Sequence, residues 1–107
     1  ITTFDSILHA FIQVESEDRA TVVNPSSGAT GVLQLMPIMI DEANRICKLT
    51  GNPARFRYED RTDSLKSVQI WYVIMDYKNP TYDLQRACKI WNGNAGEWYI
   101  NRIKKHL

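Results

Sequence analysis

The sequence predicts an all-α domain, and three observations carry that expectation. Apolar residues recur at intervals of three and four along most of the chain, no alternating run of useful strand length occurs, and Gly, Pro, Asn and Ser gather at the breaks. No internal repeat is visible. The 107 residues fit one domain, 1–107, because a second hydrophobic core needs a longer chain. With 44% hydrophobic and 23% charged residues the chain can bury a core, which excludes the disordered and fibrous classes.

The elements follow in order. Phe4, Ile7, Leu8, Phe11 and Ile12 form one stripe at helical spacing, which predicts a first helix over about 3–17. Residues 18–30 lose the period and collect Asn24, Pro25, Ser26, Ser27, Gly28 and Thr30, residues that compete for backbone hydrogen bonds or break regular structure, so a surface loop is expected. Residues 32–49 are apolar again; Pro37 is tolerated only in a first helical turn and would close any short turn before it. Gly51 is a good C′ residue for this second helix. Residues 52–62 read as an irregular crossing, with Asp63 or a neighbour capping what comes next. Leu65, Val68, Trp71, Tyr72 and Met75 make a third helix that Lys78-Asn79-Pro80 stops, and Leu84, Ala87, Cys88 and Trp91 make a fourth that Asn92-Gly93-Asn94 breaks. The last segment, 95–107, places Trp98, Tyr99 and Ile103 inward and Arg102, Lys104 and Lys105 outward.

Charge and cysteine content narrow the partners. Thirteen basic residues stand against 12 acidic ones, a balance that gives no general reason to expect nucleic acid or a membrane surface. The one local excess, Arg86, Lys89, Arg102, Lys104 and Lys105 against Glu97, suits a solvated face better than a nucleic-acid module. No apolar stretch approaches the ~18 residues of a membrane span, and the first residues lack the basic-then-apolar pattern of a signal peptide. An opening Ile1 in place of Met points to a processed chain or an excised domain. Cys47 and Cys88 are too few for a disulfide scaffold or a complete zinc site; buried thiols are expected, although one bridge is open to them. His9 and His106 are too far apart in sequence to suggest a motif, and a surface role is expected for both.

The most informative residue is Glu15. Three and four residues beyond Ile12 and Phe11, it shares the stripe that buries the first helix. Desolvation and the negative end of the helix dipole both favour its protonated form. A carboxylic acid held protonated near neutral pH is what cleavage of a glycosidic bond requires, since the departing oxygen must receive a proton. A helix-end glutamate hydrogen-bonded to a loop has the same spacing.

Three ordered motifs, Glu15-Ser16, then Gly28-Ala29-Thr30-Gly31-Val32-Leu33-Gln34-Leu35-Met36-Pro37, then Trp91-Asn92-Gly93, resemble those of the soluble lytic transglycosylases and goose-type lysozymes, over about residues 8–96. The resemblance implies an α-helical, lysozyme-like domain with a loop-lined cleft. The implied substrate is the glycan strand of peptidoglycan, cut between N-acetylmuramic acid and N-acetylglucosamine. By the same resemblance Glu15 is the catalytic acid and Ser16 the serine that follows it and helps hold the local structure. Gln34 and Met36 match side chains that touch substrate, and Gly31 and Leu33 belong to the same cleft wall. Trp91 and Asn92 stand at a Tyr-Asn pair whose tyrosine hydroxyl lies near the acid. An indole N–H can donate but not accept, so Trp91 cannot reproduce every bond of that hydroxyl. A core role for Trp91 fits its sequence position equally well. Two further departures are Asp18, where the family has an aromatic, and Asn94, where it commonly has glycine.

Ordinary glycosidases use two carboxylates. Asp18, Glu59, Asp60 and Asp63 fall in expected loops or a cap, and nothing in their spacing aims one at Glu15. One acid without a partner resembles the transglycosylase scheme, which ends in a 1,6-anhydromuramoyl product and needs no metal or organic cofactor. A hydrolytic muramidase and a non-catalytic wall-binding domain are the alternatives. Either use of peptidoglycan implies the cell envelope, periplasm or exterior, alone or within a secretion or conjugation assembly.

Overall fold

The computed structural model describes residues 4–93 and 95–107, so Asn94 and the side chain of Phe4 lie outside the description. Five α-helices run in order: α1 (Phe4–Ser16), α2 (Pro37–Thr50), α3 (Ser64–Lys78), α4 (Leu84–Trp91) and α5 (Glu97–Lys104). No strand forms among the described residues; pairing is limited to two isolated bridges, Val23 with Thr30 and Thr30 with Leu35. The all-α expectation therefore holds. Helix α2 packs on α3, and α5 packs on both α1 and α4.

Local chemistry sets the boundaries. Pro37 opens α2 at a position whose N–H would have no helical partner, and Gly51 ends it in the left-handed conformation at φ 73°. Asp63 and Asp83 cap α3 and α4, each side chain accepting from the backbone N–H three residues on, Lys66 and Arg86. Two expectations need correction. The crossing at 52–62 contains a 3-10 helix, Tyr58–Thr62, built on the Asp60 carboxylate accepting from Arg57 N at 2.8 Å. Residues 32–36 are not helical; they extend the long loop, because Pro37 cannot donate back into a preceding turn.

That loop is not a surface feature throughout. Ala29 to Leu33 and Leu35 are buried, with Leu33 and Leu35 wholly inaccessible. Their apolar side chains join a core whose centre is Phe11 of α1. The Phe11 ring meets Trp71 of α3 at 5.9 Å, Trp91 of α4 at 6.4 Å and Tyr99 of α5 at 6.3 Å. Tilted and edge contacts at these separations add roughly 0.5–1.5 kcal/mol each beyond burial, so one ring of α1 fixes three other helices. Both cysteines are buried free thiols, and burial pushes Cys88 up to about 11. Among the described residues no helix is long and apolar enough to cross a membrane.

Candidate functional site

Helix α1 ends in a way that presents Glu15. Its stripe buries Ile7, Ala10 and Phe11, and Glu15, one turn beyond Phe11, is carried to the edge of the core, where it is half-buried. The chain turns away sharply after Ser16, with Glu17 and Asp18 both left-handed at φ 53° and 63°. Consecutive left-handed residues with side chains are strained by about 1–2 kcal/mol each, and Ser16 holds them. Its buried hydroxyl donates to Val32 O at 2.7 Å and Ile12 O at 3.0 Å and accepts from Asp18 N at 3.1 Å. The Ser16 carbonyl receives Arg19 Nε at 3.0 Å. One side chain thereby joins the end of α1 to the middle of the long loop.

The loop is fastened at its other side by Gly31 and Arg61. Gly31 has φ 87°, and a Cβ there would overlap the Arg61 carbonyl, so only glycine fits. Arg61 in turn donates through Nη1 to Gly28 O at 3.3 Å and Leu35 O at 3.4 Å, while its own carbonyl accepts from Ser67 of α3 at 3.1 Å. The loop turns back at Gln34, left-handed at φ 51°, whose Nε2 donates to Val22 O at 3.1 Å and Gly31 O at 3.0 Å. With both amide hydrogens engaged, Gln34 offers a ligand its Oε1 acceptor.

Between this loop, the start of α2 and the end of α4 lies a cleft of about 510 Å³, lined by Glu15, Gln34, Met36, Trp91 and Asn92 together with Asn24, Ser27, Ala29, Met39 and Gly93. Five of the six residues singled out in the sequence therefore share one wall system. Ser16 is the exception. It does not line the cleft; with its hydroxyl bonded to Val32 O, it is a positioning residue, not one placed to touch a ligand. Trp91 both belongs to the core and lines the cleft: it is 5% exposed, its ring meets Phe11, and its indole N–H donates to Leu33 O at 2.9 Å.

The hydroxyl beside Glu15 comes from elsewhere. Tyr99 of α5, buried against Phe11, donates to Glu15 Oε1 across 84 positions of sequence. The helical spacing puts Tyr99 on the inner side of the last segment but marks no polar task for it. Burial raises the Glu15 pKa, the Tyr99 hydrogen bond lowers it, and the Arg102 charge, one turn further along α5, lowers it too; desolvation is the largest and the net shift is upward. Tyr99 is pushed upward by burial and by the neighbouring Glu15 charge, so it stays a donor. Glu15 has no ion pair among the described residues, whose pairs are Arg45–Glu42, Arg57–Glu59 and Lys78–Glu42.

Glu15 is the only carboxylate among the described residues of the cleft wall. The other acids weighed in the sequence are engaged away from it: Asp60 and Asp63 cap the 3-10 helix and α3, and Glu59 pairs with Arg57 at 3.3 Å. Asp18 is exposed beyond the end of α1. Among the described residues no cluster of three or more His, Cys, Asp or Glu side chains could hold a metal ion. The chain was compared with protein-family models, curated proteins and solved structures, and it matches none of them.

Proposed function

We propose that the chain is a lysozyme-like lytic transglycosylase that cuts peptidoglycan glycan strands between N-acetylmuramic acid and N-acetylglucosamine. The observation that carries the reading is a half-buried carboxyl of raised pKa in a cleft, hydrogen-bonded to Tyr99 and without a second carboxylate among the described lining residues. The order of the motifs around Glu15, Gln34 and Asn92, and their meeting in one cleft, support it further.

In this scheme Glu15 enters protonated and gives its proton to the bridging oxygen as the C1–O bond breaks. The Tyr99 hydroxyl hydrogen-bonds the carboxylate that is left, which eases proton release from an acid that burial alone would hold too tightly. The substrate's N-acetyl group assists at C1. The Glu15 carboxylate then takes the proton of the muramyl C6 hydroxyl, whose oxygen closes onto C1 as a 1,6-anhydro ring. Glu15 ends protonated as it began, and no water is consumed. Gln34 and Asn92 on the wall can orient hydroxyl and acetamido groups, while Met36, Met39 and Trp91 supply apolar area for sugar faces. Action on this substrate places the protein in the cell envelope or outside the cell.

Mass spectrometry of products from purified cell wall tests the proposal. Soluble 1,6-anhydromuropeptides, lost in Glu15→Gln, are expected. Reducing-end muramic acid as sole product would replace the reading with a hydrolytic muramidase. Wall binding without turnover, unchanged in Glu15→Gln, would replace it with a binding domain.

A further inference from the structure

The loop between α1 and α2 supplies one side of the cleft, through Asn24, Ser27, Ala29, Gln34 and Met36. Within itself it is bonded as a unit. Asn24 N donates to Ala29 O at 2.8 Å, Gly31 N to Val22 O at 2.9 Å, and Thr30 and Leu35 exchange N–H to carbonyl bonds at 3.0 and 2.9 Å. Three side chains from outside then dock it. Ser16 donates to Val32 O and the Trp91 indole to Leu33 O; both donors are buried, and both act where the loop enters the core. Arg61 acts further out. Its Nη1 donates to Gly28 O at 3.3 Å and Leu35 O at 3.4 Å, so it ties two separate limbs that carry the lining residues Ser27 and Ala29 on one and Gln34 and Met36 on the other. The half-buried guanidinium is aimed by Nε, which donates to Tyr58 O at 2.9 Å inside the 3-10 helix, and none of the ion pairs among the described residues uses it. Its charge is committed to carbonyls, and charged donors make the stronger hydrogen bonds. The acid is anchored elsewhere: Glu15 rides on α1, and the groups that act on its carboxyl are Tyr99 and Arg102 of α5.

We infer that Arg61, which lies outside the cleft, is the positioning residue that sets its ligand-binding wall, and that it does so independently of the acid. Arg61 governs how tightly a ligand is held between the two limbs; α1 and α5 govern how Glu15 gives up its proton. For the identity of the ligand, a glycan, the inference rests on the peptidoglycan reading above, whereas the hold on the loop does not depend on it. Removing the side chain separates this role from that of the Arg61 backbone. The Arg61 carbonyl would remain against Gly31, still accepting from Ser67 Oγ at 3.1 Å, and Ser16 and Trp91 would keep residues 32 and 33 in place. The loop therefore stays seated, and what is lost is the tie between residues 28 and 35. Oε1 of Gln34 and the Met36 side chain then no longer face Ser27 and Ala29 at a fixed distance, and each ligand bound must order the wall again.

The test compares Arg61→Ala and Arg61→Lys with the unsubstituted protein in three measurements: amide hydrogen exchange resolved by residue, a glycan-binding titration with the N-acetylglucosamine–N-acetylmuramic acid disaccharide on the Glu15→Gln background, and kcat, KM and pH profile of product release from purified cell wall. Melting curves check that each variant folds. In Arg61→Ala the amides of residues 28–35 should exchange faster while those of α2 and α3 do not. The disaccharide should bind roughly three- to thirtyfold more weakly, the range that one or two hydrogen bonds deliver, and KM should rise by the same factor with kcat and the alkaline limb unmoved. Lysine keeps the charge and can reach one carbonyl, so Arg61→Lys should recover part of the affinity. Unchanged exchange at 28–35 with unchanged affinity overturns the inference alone, provided products form. A fall in kcat or a shifted alkaline limb with KM unmoved overturns it too, because wall and acid would then share one anchor, and so does exchange that speeds up throughout the core. Faster exchange at 28–35 and weaker binding in a protein that releases no products would sink the enzyme reading and keep the role of Arg61. No binding of the disaccharide with Arg61 intact would sink both.

Discussion

Replacing Tyr99 with Phe isolates the contact on which the site depends. The substitution keeps the ring, and with it the 6.3 Å packing on Phe11, and removes only the hydroxyl that donates to Glu15. A lost hydrogen bond to a half-buried carboxyl amounts to about 1–3 kcal/mol, the lower end for a neutral acceptor and the upper for an ionised one. In a domain of this size each 1 kcal/mol moves Tm by roughly 4 °C, so a fall of about 4–12 °C is expected by circular dichroism. The same hydrogen bond lowers the Glu15 pKa, so its removal leaves burial opposed by Arg102 alone and moves the pKa further up. Glu15 then stays protonated to higher pH, and the alkaline limb of kcat/KM shifts upward while kcat itself drops. A Tyr99→Phe protein with unchanged Tm and an unmoved alkaline limb would refute the reasoning, because the hydroxyl would then be doing nothing at the carboxyl.

Three other perturbations test the frame. Glu15→Gln should remove a pH dependence of stability. The folded pKa is raised, so the Glu15 contribution is fully present below the ordinary carboxyl pKa of 4.5 and is lost as pH rises through the folded value, and urea titrations across that window should show a shallower decline in the variant than in the wild type. Gly31→Ala meets the Arg61 carbonyl and a left-handed backbone together; about 3 kcal/mol or more of stability should go, read from urea midpoints, and Gly28→Ala, with open space around it, should lose less. Ser16→Ala strands the Val32 carbonyl and frees the turn after Glu15, at a cost of about 1–3 kcal/mol; the same glycan-binding titration should show weaker binding although residue 16 touches no ligand.

The helices were legible because their causes are local. Stripes at three and four, Pro37 at a first turn, Gly51 past a last one and Asp63 at a cap act within one turn of chain, and they stand where the sequence puts them, except that Leu65 and Trp98, expected on the inner stripes, are exposed. Residues 32–36 look helical in sequence but are not, because Val32, Leu33 and Leu35 carry apolar side chains for a long-range reason: they pack into the core from a loop. Glu15 could be singled out because its stripe is local too. Tyr99 could not be, since its partner lies 84 residues away and nothing in the last segment distinguishes a hydroxyl that needs an acceptor from one that reaches solvent. The one usable signal was its residue type: a tyrosine in place of phenylalanine on a buried face has to place its O–H somewhere. The Arg61 clamp was invisible for the same reason, as its guanidinium bridges two carbonyls that only the folded loop brings together.

Cys88 gives the protein a built-in clock. The thiol sits one turn before Trp91, fully enclosed and with its ionisation pushed up to about 11, so an alkylating reagent at neutral pH finds neither access nor thiolate in the closed molecule. Each labelling event at Cys88, told apart from Cys47 by mass, therefore records a moment when the packing behind Trp91 has come apart, and the labelling rate at that thiol divided by that of an unstructured one is the fraction of time the enclosure stands open.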